Sequence, residues 1–338
     1  MKDHLSSKWF LVIGLAIFLM ALVPVLSMAA EVSGYSLSSK VKMDPICELA
    51  KKSTGITVSV LCMGGGELWT RIMSEKPNIQ ADMGIIADIE QAIKLKEMGL
   101  IQQYKSKAWD VIPAEFKDKD GYYYCENMWT VMPIVNKDMV KKRGLSVPKS
   151  WYDLLDPKWK GEIAMPNPLT SSSAYLTLCG LVRLMGEDKA FDYLEKLHKN
   201  VAQYTKAGGA PALLVSQGEV TFGITDSSSA FSRIDEGYPI AIVTLKEGVP
   251  YSLNSAFIFT STKDPARLAT SKKITDYLAS AEHQSLAGKF RPKVTRPGVV
   301  AQEKAYGEIV LIKNFDYDWV GKNVKRLQDK WKERFQIK

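Results

Sequence analysis

Past residue 30 the chain alternates short apolar, β-branched runs with longer runs whose apolar positions recur every three to four residues. Residues 32–35, 56–63 and 83–87 read as strands. Residues 45–52, the run after Gly64-Gly65-Gly66 carrying Leu68, Trp69, Ile72 and Met73, and 89–98, stopped by Gly99, read as helices. Strands that alternate with helices predict βαβ units and a parallel sheet covered on both faces. Strands at 122–125 and 129–135 follow; Pro133 in the latter cannot donate to a ladder, which suits an edge or a crossing between domains. A short helix at 151–155 precedes a longer one marked by Ala174, Tyr175, Leu178, Leu181, Val182 and Met185. Helices at 187–197 and 211–217, strands at 220–224, 240–245 and 255–260, and helices at 265–280 and 283–289 complete the pattern. An amphipathic, Lys- and Arg-rich helix is expected at 319–335.

The most informative stretch is Pro166-Asn167-Pro168-Leu169-Thr170-Ser171-Ser172-Ser173, because its hydroxyls fall at the start of a helix. The first amides of a helix lack intrahelical partners and carry partial positive charge, so hydroxyls there suit an anion. They equally suit an N-cap. Thr225-Asp226-Ser227-Ser228-Ser229 is a second strand-to-helix junction of the same kind. In an open α/β sheet ligands bind outside the carboxyl ends of the strands, and the residues there are Ser36, Gly64 to Glu67, Asp88, Thr170 to Ser173 and Asp226 to Ser229. Each alone also reads as a turn, a cap or a strand end.

Composition narrows the setting. Lys2 and Lys8 precede an apolar run over 9–26, and Ser27-Met28-Ala29 supplies small residues for cleavage, so 1–29 is read as an export signal, with an uncleaved anchor as the alternative. The remainder exceeds the usual size of one core, so two domains are expected. The net charge is +8, but basic residues are interleaved with acids, which argues against a nucleic-acid-binding stripe. Cys47, Cys62, Cys125 and Cys179 admit two disulfides or unpaired core thiols. His198 and His283 are expected on helix surfaces and belong to no metal-ligand spacing. No nucleophile elbow, C-x-x-C, P-loop or dinucleotide fingerprint occurs, so no catalytic residue, metal or cofactor is expected.

The block Trp151-Tyr152-Asp153-Leu154-Leu155-Asp156-Pro157-Lys158-Trp159-Lys160-Gly161-Glu162-Ile163-Ala164-Met165-Pro166-Asn167-Pro168 resembles the signature of the periplasmic solute-binding proteins of ABC transporters, type II. Gly223-Ile224-Thr225-Asp226 and Glu247-Gly248-Val249-Pro250-Tyr251 match later motifs of the family. The likeness spans nearly the whole chain past 30 and is closest to the cluster of ferric-ion, phosphonate and sugar-phosphate binders. It implies two α/β lobes, 30–130 with 255–338 and 131–254, joined by crossing strands near 130–136 and 253–260. It also implies a monomeric receptor outside the cytoplasmic membrane, without enzymatic activity, that delivers its solute to a membrane permease driven by a separate ATPase.

Carried over residue by residue, the resemblance puts Ser36, Gly65, Gly66, Glu67, Asp88, Trp129, Thr170, Ser171, Ser172, Ser173, Asp226, Ser227 and Ser228 at the ligand. Glu126 is placed either against a ligand amine or in solvent, and Arg71, Arg233 or Lys206 are candidates for countercharge. Ferric-binding members bring adjacent tyrosines after the strand that here ends at Ile224, because Fe(III) suits anionic oxygen donors. This chain has Asp226-Ser227-Ser228-Ser229-Ala230-Phe231 there, which favours a phosphonate or phosphate ester over Fe(III). Carboxylates, thiamine-like compounds, polyamines and an exported enzyme are the further alternatives.

Overall fold

The computed structural model describes residues 30–289, 291–301, 309–313 and 315–336; the export signal expected at 1–29 lies outside them. In chain order these form β1 (Glu31–Ser36), α1 (Lys40–Thr54), β2 (Thr57–Cys62), α2 (Gly65–Glu75), β3 (Met83–Asp88), α3 (Ile89–Glu97), β4 (Tyr124–Asn136) and α4 (Lys137–Arg143). There follow β5 (Ile163–Pro166), α5 (Ser172–Met185), α6 (Glu187–His198), β6 (Val201–Thr205), α7 (Ala210–Gln217), β7 (Phe222–Asp226), α8 (Ser227–Asp235) and β8 (Ile240–Ile242). The last are β9 (Tyr251–Ile258), α9 (Pro265–Leu278), α10 (Ala281–Ala287), β10 (Lys293–Val294), α11 (Tyr317–Lys322) and α12 (Val324–Phe335).

Among the described residues the strands run in the order β2-β1-β3-β9-β4-β7-β5-β6, with β8 and β10 also paired to β4. β1 is parallel to β2 and β3, and β5 is parallel to β6 and β7. These parallel sets are the expected α/β pattern. They are joined by β4, whose residues 124–130 pair antiparallel with β9 and whose residues 131–135 pair antiparallel with β7. The two strands expected at 122–125 and 129–135 are therefore one, interrupted by a register shift between Cys125 and Asn127. Pro133 sits where its missing N–H costs nothing: its carbonyl accepts from Val243, on the side where the pairing of β8 begins only at Ile134. The other connection between the two sets runs through 243–250, since β9 pairs wholly with β3 and β4.

Apolar faces pack as the periodicity requires. Met43, Ile46 and Ala50 of α1 lie beneath β1 and β2, and Leu68 and Ile72 of α2 are each 1 % exposed on the other side. α5 and α6 bury Leu178, Leu181, Phe191 and Leu194 around Trp151, which is held by a capping box of Ser150 and Asp153. The C-terminal helix, assigned to the first lobe by the resemblance, buries Leu327, Trp331 and Phe335 in this same cluster. Its polar face is tied there by Arg326 and Lys330 on Glu187 at 2.8 and 2.9 Å. All four cysteines are unpaired, with Cys125 and Cys179 buried as small apolar side chains.

Candidate ligand site

The loops at the carboxyl ends of β2, β3 and β5 meet around a cavity of roughly 290 Å³. Gly65, Gly66, Asp88, Trp129, Thr170, Ser171 and Ser172 line it, so seven of the residues selected from sequence share one wall. Contact between the two parallel sets is close. A Cβ on Gly65 would strike the Ser172 hydroxyl, so a side chain at this position is incompatible with the observed approach. Ser172 in turn hydrogen-bonds Asp88, whose Oδ1 accepts from Trp129 Nε1 at 3.1 Å.

The hydroxyl run does not cap its helix. Ser171 is the N-cap residue of α5 but makes no side-chain cap bond; its Oγ lies 3.0 Å from Ser173 Oγ, and Thr170 Oγ1 donates to the Lys206 carbonyl at 2.8 Å. Asp88 at α3 and Gly64 at α2 likewise provide no side-chain cap, which leaves the first amides of three helices uncapped around the cleft. Asp226 differs. It accepts from Ser229 N at 2.9 Å, Ser228 Oγ at 2.6 Å and Ser229 Oγ at 2.7 Å, and so is a true cap of α8.

Other sequence candidates lie elsewhere. Ser36 is fully buried and accepts from Ser38 N, a turn contact, while Ser227 Oγ accepts from Thr130 N and secures α8 to β4. Glu67 is exposed and lines no part of the cavity. Arg71 is held by Tyr35 and Glu75, and Arg233 by Glu236.

The cation that lines the cavity is Lys94, whose Nζ lies 4.9 Å from the Trp69 ring centroid, and two further cations, Lys42 and Arg291, lie beyond the lining where the two parallel sets meet. Lys42 Nζ donates to Ser228 Oγ at 2.6 Å, bridging the first parallel set to the second. Among the described residues, neither Lys42 nor Arg291 has a carboxylate oxygen within 4.0 Å. Burial lowers the Lys42 ammonium to about 8 against the opposing pull of Asp226. Burial likewise lowers Arg291, which is 8 % exposed, against the carboxylates of Asp226, Glu126 and Asp88. Burial alone would raise Asp226, but Lys42 and its serine donors hold it below the usual carboxylate range. Lys42 lies in the first turn of α1, beyond the carboxyl end of β1, so the strand-end rule that found the other loops also reaches it. No local pattern marks Arg291.

The acids of the cavity are Asp88 and Glu90. Both are raised, first by burial, and Glu90 also by the neighbouring Asp88 carboxylate. Glu126 neither meets solvent nor lines the cavity: it is fully buried, with Oε2 2.7 Å from His283 Nε2 and Oε1 accepting from Ile86 N at 3.2 Å. His283 is thus a core residue rather than the surface one expected, while His198 is exposed and stacks on Tyr204. Ile86 has φ 56°, an outlying conformation for a β-branched residue, and the Glu126 carboxylate holds it there two residues before Asp88.

Comparison with known proteins agrees with this geometry. The family model described as bacterial extracellular solute-binding protein matches residues 74–316. An uncharacterized protein of Haemophilus influenzae is 31 % identical over 308 residues, 86 % of this chain and 88 % of its own. A putative 2-aminoethylphosphonate-binding periplasmic protein of Salmonella paratyphi A is 26 % identical over 239 residues, 69 % of this chain and 68 % of its own. Among solved structures, the periplasmic binding protein AfuA of Actinobacillus pleuropneumoniae, with exogenous fructose-6-phosphate bound, superposes with a TM-score of 0.83 at 29 % identity, covering 91 % of this chain and 99 % of that one. The fold is that of the two-lobed type II periplasmic binding proteins.

Proposed function

The chain belongs to the bacterial extracellular solute-binding proteins, and we propose that it captures a phosphonate or phosphate ester in the cleft between its parallel sets. It is a solute-binding protein and not an enzyme. The reading extends to export behind 1–29, lobes built on 30–130 with 255–301 and on 131–254 with the C-terminal helix packed against it, and delivery of the solute to the membrane permease of an ABC importer.

One observation carries the choice of ligand: beside the cavity, where the two parallel sets meet, half-buried Lys42 and buried Arg291 have no carboxylate in ion-pair contact among the described residues. A desolvated cation left unpaired is costly, and a doubly charged anion relieves two at once. The start of α5, without a side-chain cap, offers amides and the Ser171 hydroxyl to the cavity itself. After β7 the chain carries Ser227, Ser228 and Ser229 and no tyrosine pair, so the anionic oxygen donors that suit Fe(III) are missing there, which favours an anion.

The proposal is tested by a thermal-shift panel of glucose 6-phosphate, 2-aminoethylphosphonate, inorganic phosphate, Fe(III), spermidine and citrate on the mature protein. A phosphorus-bearing anion is expected to raise Tm in proportion to the logarithm of its concentration over Kd. Stabilisation by Fe(III) alone, with a tyrosinate colour band, overturns it.

A further inference from the structure

We infer that Glu90, beside Asp88, is a specificity residue that reads hydrogen-bond donors at the end of the ligand away from its phosphate. The inference rests on the reading of a phosphonate or phosphate ester and deepens it, because it makes the substrate a donor-bearing one, a polyol phosphate or an amino-bearing phosphonate or ester, rather than a bare or alkyl phosphate.

The argument is an accounting of acceptors. An ionised carboxyl offers about four lone-pair sites. Glu90 receives one hydroxyl proton, from Ser252 Oγ, shared at 3.1 and 3.2 Å between its two oxygens, together with a backbone contact within its own residue. Asp88, 7 % exposed, receives Trp129 Nε1 and the Ser172 hydroxyl. Among the described residues no Lys, Arg or His nitrogen lies within 4.0 Å of either carboxyl. Both line the cavity, and so does Gln91, whose Oε1 is buried without any partner.

Asp88, Glu90 and Gln91 Oε1 therefore keep acceptor sites that no described cation fills, Lys94 in the same lining lying against Trp69 instead of pairing with Glu90, while Lys42 and Arg291 stand outside the lining. Buried acceptors without donors are unfavourable, and hydroxyl or ammonium groups on a ligand supply what is missing. Trp69 and Tyr175 line the same space and offer apolar faces to the ligand's carbon skeleton. A cavity of roughly 290 Å³ is at the lower limit of common ligand pockets, about 300 Å³, and has room beyond a phosphate group.

Isothermal titration of the mature protein with four probes tests this: inorganic phosphate, n-propyl phosphate, glucose 6-phosphate and 2-aminoethylphosphonate. For the wild-type protein, at least one of the two donor-bearing probes is expected to bind about tenfold or more tighter than n-propyl phosphate, since a hydrogen bond to a charged group is worth roughly that factor. Glu90→Gln, which keeps one carbonyl oxygen but cannot ionise against a ligand donor, is expected to weaken that probe about tenfold and to change inorganic and n-propyl phosphate less than about twofold. Glu90→Asp, which withdraws the carboxyl by one methylene, is expected to act in the same direction, and the ligand-free melting of each variant reports its folding.

Preference for glucose 6-phosphate identifies hydroxyls as the donors read, and preference for 2-aminoethylphosphonate identifies an ammonium; both uphold the inference. Equal weakening of all four probes, or of none, overturns it while leaving the phosphonate or phosphate-ester reading intact. Wild-type protein that binds none of the four overturns that reading and this inference with it.

Discussion

Beside the cavity, where the two parallel sets meet, Lys42 and Arg291 have no carboxylate in ion-pair contact, and in its lining Asp88 and Glu90 have no cation in ion-pair contact, among the described residues. The two groups are near enough to influence one another, since Asp88 opposes the effect of burial on Arg291. They do not pair. Had they formed ion pairs across the cleft, each charge would be satisfied internally and a ligand would have to break them. Held apart, the two groups present opposite unmet requirements, one for negative charge and one for donors. The proteins' other charged contacts show the contrast: Glu187 takes both Arg326 and Lys330, and Arg267 reaches Asp82 at 2.6 Å, pairings that are complete in themselves.

The positions of the two groups are set differently. Asp88 is fixed by the sheet: the Glu126 carboxylate, backed by His283, holds Ile86 at positive φ, and Trp129 holds the Asp88 carboxyl directly. Lys42 reaches the cleft on a flexible stem from α1 and is positioned by Ser228 across it. The backbone that positions Asp88 is thus fixed within one parallel set, although Ser172 of the other reaches its carboxyl, whereas Lys42 is positioned only across the two sets.

Experiments can break or sharpen this contrast, and the largest effect is expected at the cations. Arg291→Met should weaken phosphonate or phosphate-ester binding by about 10- to 100-fold, the worth of one charge-assisted contact, measured by titration calorimetry. A loss below about twofold would remove Arg291 from the site. The next effect is that of pH. Lys42 is lowered to about 8, so the ammonium that attracts an anion is complete below that pH and is lost above it. Affinity should fall by up to about tenfold per pH unit above 8, and Lys42→Met should flatten the profile.

A smaller effect is expected from Ser171→Ala with Ser173→Ala. The two hydroxyls contact each other and do not cap α5, so anion affinity should fall by about fivefold or more while stability changes by less than about 1 kcal/mol. Comparable losses in both would return the hydroxyls to a capping role. Smallest is the effect on the ligand-free protein. Asp88 is raised to about 6 and Glu90 to about 8, above unfolded values of about 4. Raised carboxyls favour the folded state while protonated, so their contribution is complete below about pH 4 and is lost as pH rises through 6 and 8. The melting temperature of the ligand-free protein should fall as pH rises across that window. Glu90→Gln should diminish the fall, as differential scanning calorimetry can show.

Much of this was legible in the chain. Period-two and period-3.6 patterns located the alternating strands and helices, and the rule that ligands sit at the carboxyl ends of parallel strands brought Gly65, Asp88, Ser171 and Ser172 to one cavity before any coordinates. Glu90 was hidden because an acid in the first turn of a helix is an ordinary feature of helix termini. Arg291 was hidden because it follows a helix with no motif and reaches the cleft only through the pairing of β10 with β4. Glu126 and His283 are 157 positions apart in sequence, and local periodicity carries no information about such a pair. The docking of the C-terminal helix was missed for the same reason: its amphipathic pattern gives the face that is buried, not the neighbour that buries it.

The account's central claim is that the cleft takes a phosphate through Lys42 and Arg291, and the most direct measurement is titration of wild-type protein and the Lys42→Met, Arg291→Met double variant with glucose 6-phosphate and 2-aminoethylphosphonate. Saturable binding of at least one of them by the wild type, weakened by about a thousandfold in the double variant as two charge-assisted contacts are lost, is the predicted result. Unchanged affinity in the double variant, or tight uptake of Fe(III) by a protein that binds neither phosphorus compound, would contradict it.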